Sequence, residues 1–213
     1  MAPTKNEMFP VESGLKGIDS ISCLVCGVGI LESAVTLCRY LSRTENKISA
    51  VVLTGIAGAY RGGGAKLLDV CLAGKEVLGD LGICYPDRID SLDASFAPET
   101  VFRVDPRLLA KARAVLTDAG ILFHEGGFVT VSSVSATVKR GDYLQEKFSA
   151  ICENMEGAAI ARICNEFKLP YLEVRGISNM VVDREMQRWD VAGAISRCSE
   201  ITCRIVERLA GEF

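Results

Sequence analysis

A short apolar run that passes through Glu153-Asn-Met-Glu156 directly into Gly157-Ala-Ala-Ile-Ala161 limits what this chain can become. It reads as a strand feeding an Ala-rich helix. The helix spans Met155 or Glu156 to Lys168, with Ala159, Ile160, Ile163, Cys164 and Phe167 on one stripe, and Leu169-Pro170 stops it. Tyr171 to Ile177 then reads as a second strand, ending in Ser178-Asn179. Two strand ends thus carry polar side chains. In open α/β sheets, ligands bind at the carboxyl ends of strands, so Glu156 and Asn179 are the first candidate site residues.

The flanking sequence repeats this alternation. Ile21-Ser-Cys-Leu-Val-Cys26 is apolar enough for a strand buried on both faces, and it breaks at Gly27-Val-Gly29 before a helical stripe from Leu31 to Leu41. Ile48 to Leu53 reads as a central strand running into Thr54-Gly-Ile-Ala-Gly58. Both glycine runs read as strand-to-turn transitions that bring backbone amides close to a ligand. Leu67 to Ala73 and Lys75 to Leu78 look like strands, and 85–99 reads as a long polar loop. Asp105-Pro106 marks a helix start, with the helix ending near Asp118. Ile121 to His124 and Gly127 to Ser132 suggest an extended pair around Glu125-Gly-Gly127. Ser132 to Thr137 reads equally as a pocket lining or as a solvated loop. Val191 to Leu209 forms a closing amphipathic helix. Ala2-Pro3-Thr4 reads as the end of a strand whose apolar body would precede Met1. The expectation is a single α/β domain over 1–213, with a central mixed sheet covered by helices.

Composition narrows function. A net charge of −3 with scattered Lys and Arg argues against nucleic-acid binding. No apolar run approaches the ~20 residues of a membrane helix. The first residues lack the apolar core of a signal peptide, so the chain reads as cytoplasmic. Nine cysteines and one histidine, His124, offer no zinc ligand set. Cys23-Leu-Val-Cys26 has metal spacing, but in a strand its two thiols point to opposite faces. No metal site is expected. Gly27-Val-Gly29 is not a full dinucleotide fingerprint, and no acidic residue ends the next strand, so no cofactor is expected.

With Gly27-Val-Gly29, Thr54-Gly-Ile-Ala-Gly58, Glu153-Asn-Met-Glu-Gly-Ala-Ala159 and Val174-Arg-Gly-Ile-Ser-Asn179 in this order, the chain resembles the nucleoside phosphorylase and nucleosidase superfamily from Glu7 to the last helix. Within it, the Glu-Asn-Met-Glu form, Asn179 in place of an aspartate, and a downstream Arg184-Glu with Trp189 look most similar to the futalosine hydrolases. The resemblance implies a three-layer phosphorylase-like fold, a homodimer, and removal of hypoxanthine from futalosine in a menaquinone pathway. It also implies site residues. Glu7 would activate water, Glu156 would hold the ribose hydroxyls, and Asn179 would hold the leaving base. Gly29, Ile56, Ala57, Gly58, Asn154 and Met155 would line the substrate, and Arg184 with Trp189 would meet its carboxylate end.

The chemistry fits that assignment. Breaking an N-ribosidic bond passes through a cationic sugar, which a carboxylate stabilises. Attack by water needs a base. An aspartic acid can protonate adenine N7, whereas an asparagine can only donate a hydrogen bond to a 6-oxopurine. The alternatives are a methylthioadenosine/S-adenosylhomocysteine (or aminodeoxyfutalosine) nucleosidase, a phosphorylase using Arg61 beside the second glycine run, and a catalytically silent nucleoside-binding protein.

Overall fold

The computed structural model describes residues 1–183 and 185–211. Its first helix, α1 (Lys5–Gly14), was not legible in the sequence. It starts on a reciprocal cap, in which Thr4 accepts from the Glu7 backbone while Glu7 accepts from Thr4. Helix α2 (Ile30–Arg43) follows Gly27 and Gly29, which take φ of 86° and 89°, a left-handed turn suited to glycine. Next come β1 (Val51–Tyr60), β2 (Val70–Leu78), the short β3 (Ile83–Cys84) and β4 (Ile89–Asp90), β5 (Val101–Arg103) and α3 (Pro106–Asp118). The second half holds β6 (His124–Thr130), α4 (Val138–Phe148), β7 (Ala150–Asn154), α5 (Gly157–Glu166), β8 (Tyr171–Val181) and α6 (Val191–Ala210).

The main sheet runs β5-β2-β6-β7-β1-β8 and is mixed: β1 pairs parallel with β8 and antiparallel with β7. It curls until Val70–Leu72 of β2 meets Val174–Gly176 of β8. Helices cover it on both sides. Leu37 of α2, Ile160 and Cys164 of α5, and Ile201 and Ile205 of α6 are buried with Leu53, Leu72 and Val174 of the strands. Leu144 of α4 packs with Tyr60, Val129 and Val181 in a second cluster. This is the mixed, helix-flanked sheet expected.

Several boundaries differ from the sequence reading, each for a physical reason. Gly55 and Gly58 do not end a strand; they lie inside β1. At Gly55 a Cβ would fall 2.8 Å from the Arg175 guanidinium and 2.9 Å from the Glu7 carboxylate, so the glycine makes room for charged groups. Gly126 and Gly127 likewise sit within one strand, β6, rather than at a turn between two. Residues 21–26 are extended but pair only through a bridge between Ala2 and Val25. Their neighbour is the short segment at Met1–Pro3. Its Met1 ammonium donates to Val52 at 2.7 Å, and Ala2 accepts from the Cys26 amide at 2.9 Å. A cavity of about 480 Å³ opens beside it, lined by Ile21, Cys23, Ile48, Ala50 and Val206 among others. The polar 85–99 segment contains β4, which pairs back on β3. No described helix is long and apolar enough to cross a membrane.

Candidate active site

The strand-to-helix junction places Glu156 at the cap of α5, and the carboxylate is held from two sides. Gly29 N–H, at the start of α2, donates to Glu156 Oε1 at 3.0 Å, and Arg175 Nη2 donates to Oε2 at 3.2 Å. The side chain is buried, yet a carboxylate has about four acceptor positions, so two remain after these contacts. A diol could take both.

Glu7 approaches the same point from α1 rather than from a strand. Its Oε2 accepts from Thr4 N–H and Oγ1, and its Oε1 accepts from Ile56 N–H at 3.0 Å. Arg175 Nη1 donates to the carbonyl of that same residue, Ile56, at 3.2 Å. Glu7, Glu156 and Arg175 therefore converge around residues 55–56 of β1, with an acceptor position still open on Glu7 Oε1.

Behind this group lies a layer the sequence reading missed. Glu173 accepts from Arg175 Nε at 2.7 Å and from the Tyr171 hydroxyl. Glu76 accepts from Thr130 at 2.8 Å and from the Asn154 amide. All of these side chains are buried. The two carboxylates close on one point above Gly157, where a Cβ would overlap Glu76 and lie 2.7 Å from Glu173 Oε2. Burial, and next the Glu173 charge, push the Glu76 carboxyl well above the usual carboxylate range. Burial works against the Arg175 charge, but Glu173 and Glu156 more than offset it and raise its pKa.

Glu76 thus keeps a proton that the unfolded chain releases. Its favourable contribution is complete below the ordinary glutamate value and declines as pH rises toward the raised native value. Stability measured by urea unfolding should fall as pH rises above the ordinary glutamate range toward that raised value, and Glu76→Gln should flatten that slope. An unaltered slope in the variant would locate the proton elsewhere.

Asn154 belongs to this scaffold. Its Oδ1 accepts from the Glu156 and Gly157 amides at 2.9 and 2.8 Å, which starts α5, and its Nδ2 reaches Glu76. Alternation along β7 points Asn154 to one sheet face and Glu153 to the other. Met155, half-buried, lies at the junction itself.

Asn179 sits two residues further along the sheet from the carboxylate group. The pairing of β1 with β8 slips between Ala57 and Gly58, so that Ile177 faces Ala57 but Asn179 faces Gly58. Ser178 is the extra residue of this bulge, a device that re-aims side chains. Its one hydroxyl proton is shared between Asn179 Oδ1 at 2.9 Å and the Ala57 carbonyl at 3.3 Å. With Oδ1 so engaged, Asn179 Nδ2 donates to Met180 O at 3.3 Å and, among the described residues, its second N–H is unused. Ser132–Thr137, read from the sequence as pocket or loop, is pinned to the sheet: Ser135 donates to Glu153 through its amide and its hydroxyl, both at 2.7 Å.

Trp189 is half-buried at the end of a short 3-10 turn, and the next residue, Asp190, donates its amide to Ser178 O at 2.9 Å. The loop is thereby tied to the Asn179 bulge. Arg184 lies outside the described residues. Arg61, exposed by half, is paired with Asp142 at 2.7 Å. Among the described residues, no group of three or more His, Cys, Asp or Glu side chains is placed to hold a metal ion.

The order of these elements and residues matches the Phosphorylase superfamily domain over residues 3–210. The chain belongs to that superfamily. Among phosphorylase-superfamily proteins, it is 33% identical over 82% of its length to a futalosine hydrolase of Acidothermus cellulolyticus, covering 70% of that protein. It is 32% identical over 93% of its length to a futalosine hydrolase of Thermus thermophilus, covering 84% of it. A 5'-methylthioadenosine/S-adenosylhomocysteine nucleosidase of Shewanella frigidimarina is more distant, at 27% identity over 80% of the chain and 76% of the relative. The fold matches the solved structure of a futalosine hydrolase of Helicobacter pylori with a TM-score of 0.83, covering 97% of this chain and 95% of that one at 19% identity.

Proposed function

We propose that the protein hydrolyses the N-ribosidic bond of futalosine, releasing hypoxanthine as a step of menaquinone biosynthesis. One observation carries the reading: the side chain presented at the bulge of β8 is an amide, Asn179, with a donor unused among the described residues. The two relatives at 32–33% identity bear the same activity in their names.

In this reading the ribose hydroxyls occupy the open acceptor positions of Glu156, which stabilises the positive charge that grows on the sugar. Glu7 takes a proton from water. The water oxygen bonds to C1′ while the C1′–N9 electron pair leaves with the base. Hypoxanthine departs as an anion steadied by the Asn179 N–H at N7 or O6, and solvent completes its protonation. Arg175 places two of these carboxylates: directly Glu156, and through Ile56 the backbone that Glu7 holds. The backbone at Gly29, Ile56, Ala57 and Gly58 frames the substrate, with Met155 against the ribose. Arg184 and Trp189 take the carboxylate end, and no cofactor takes part. A single domain forms the unit, paired as a cytoplasmic homodimer.

Release of hypoxanthine from futalosine, with and without phosphate, tests the reading. Cleavage should proceed without phosphate and exceed cleavage of methylthioadenosine. A strict phosphate requirement, or faster adenine release from methylthioadenosine, would overturn it. Asn179→Asp should lower the preference for the 6-oxopurine by tenfold or more, on the order of one hydrogen bond to a charged group. An unchanged ratio of kcat/KM would move base choice to another residue.

A further inference from the structure

Four laterally aligned residues cross the sheet beneath the Ser132–Thr137 loop: Val129 of β6, Glu153 of β7, Gly58 of β1 and Asn179 of β8. Laterally paired residues share a face. Gly58 confirms the geometry, since a Cβ there would point at the Asn179 amide, 3.1 Å from Nδ2. Glu153 and Asn179 are the polar members of this row. Adjacent strands lie about 4.8 Å apart, so their Cα atoms are separated by roughly 10 Å, with no side chain between them.

Glu153 is buried, and among the described residues no Lys or Arg forms an ion pair with it. Its Oε2 accepts from Tyr60 at 3.1 Å and from Ser135 Oγ, while among the described residues its Oε1 accepts only from Ser135 N–H. Three of about four acceptor positions are therefore filled and one, on Oε1, is open. Burying a carboxylate without a cation is costly, and these hydrogen bonds offset part of that cost. Burial raises the Glu153 pKa, and the Ser135 and Tyr60 hydrogen bonds oppose the rise. An apolar residue would complete this face as Val129 and Val181 do. The carboxylate instead faces Asn179 across a glycine.

We infer that Glu153 is a specificity-determining residue that accepts the N1–H of a 6-oxopurine held on its other edge by Asn179. The inference rests on the proposed function and deepens it. A 6-oxopurine presents a donor at N1 and acceptors at O6 and N7, which complement an acceptor-only carboxylate and an amide N–H. A 6-aminopurine presents an acceptor at N1, which would face the carboxylate oxygen lone pair to lone pair. Sites built around a buried hydrogen-bonding group reject the mismatched analogue strongly, because the group is left unpaired.

The test is calorimetric binding of hypoxanthine, 1-methylhypoxanthine and adenine to the wild type, Glu153→Gln and Glu153→Ala. The wild type should bind hypoxanthine at least tenfold tighter than either other base. In Glu153→Ala, which also removes the steric objection to the N1 methyl, the discrimination should shrink to within about threefold. Glu153→Gln keeps the size of the side chain and tests the charge should the alanine variant fail to fold; its preference over adenine should fall because its amide can donate to N1. Equal wild-type binding of hypoxanthine and 1-methylhypoxanthine, absence of hypoxanthine binding, or full discrimination surviving in a folded variant would overturn the inference. A role confined to pinning Ser135 would weaken all three bases equally and leave their ratios unchanged, which also overturns it. The two readings fail separately: base discrimination without futalosine cleavage sinks the hydrolase assignment, and cleavage without N1 discrimination sinks only the role of Glu153.

Discussion

Replacing Glu156 with Gln should lower kcat for futalosine hydrolysis by about 10²–10³-fold, the loss expected when one preorganised charge contact to a transition state is removed. The fold should survive the change. Arg175 keeps its 2.7 Å contact with Glu173, and Asn154 still caps α5, so neither the guanidinium nor the helix start loses its main partner. Single-turnover rates with a thermal-unfolding control provide the measurement. Equal proportional losses in kcat and kcat/KM would mean that the charge acts on the transition state, whereas a rise in KM alone would make Glu156 a ground-state binding group. Wild-type turnover would refute its role.

Arg175→Met should cost about 3–5 kcal/mol of stability in urea unfolding, the range seen when one partner of a buried ion pair is removed. The guanidinium is almost completely enclosed, and it serves Glu173, Glu156 and the Ile56 carbonyl at once. Its loss leaves two buried carboxylates facing each other across the vacated space. A second change, Glu173→Leu in the same chain, should recover part of the loss, because it removes a charge that no longer has a counterion. A single-variant loss below about 1 kcal/mol would show that water enters and solvates the carboxylates. Arg175→Lys should not substitute, since one ammonium cannot present the planar fork that reaches three separate acceptors.

Helices with strong end signals were legible from sequence. Asp105-Pro106 fixed the start of α3, and the Asp105 carboxylate does accept from Arg107 and Leu108 amides. The apolar stripe of α5 and its stop at Leu169-Pro170 placed that helix within two residues of its bounds. Helix α1 was lost because Pro10 lies inside it and its apolar residues are few. Helix α4 was lost because it is mostly polar on the outside, with Gly141 and Leu144 as its buried residues.

The glycine-rich strands misled for another reason. A glycine in a sequence signals a turn or a close approach with equal force, and here Gly55 and Gly58 serve close approach. Motif resemblance pointed to Glu7, Glu156 and Asn179, and these lie around the middle of β1. It could not show that Asn154 turns inward, because only the alternation of β7 sorts neighbouring residues onto opposite faces. The buried Glu76, Glu173 and Arg175 were hidden as well. Charged residues inside a strand ordinarily signal a wet face, and only curling of the sheet, with α5 above it, encloses them.

Strand β1 carries one further consequence. Ile56 contacts Glu7 and Arg175 through its backbone, and Gly58 lies between Glu153 and Asn179. The two residues are separated by one step of the pleat, about 7 Å. In the proposed function a single strand therefore spaces the sugar chemistry from the base readout, and no side chain belongs to both. Substitutions at the base end should leave the free energies contributed at the sugar end nearly additive. On that proposal, a lineage built on this strand exchanges one purine for another by altering the row at Gly58 while inheriting the residues gathered at Ile56 intact.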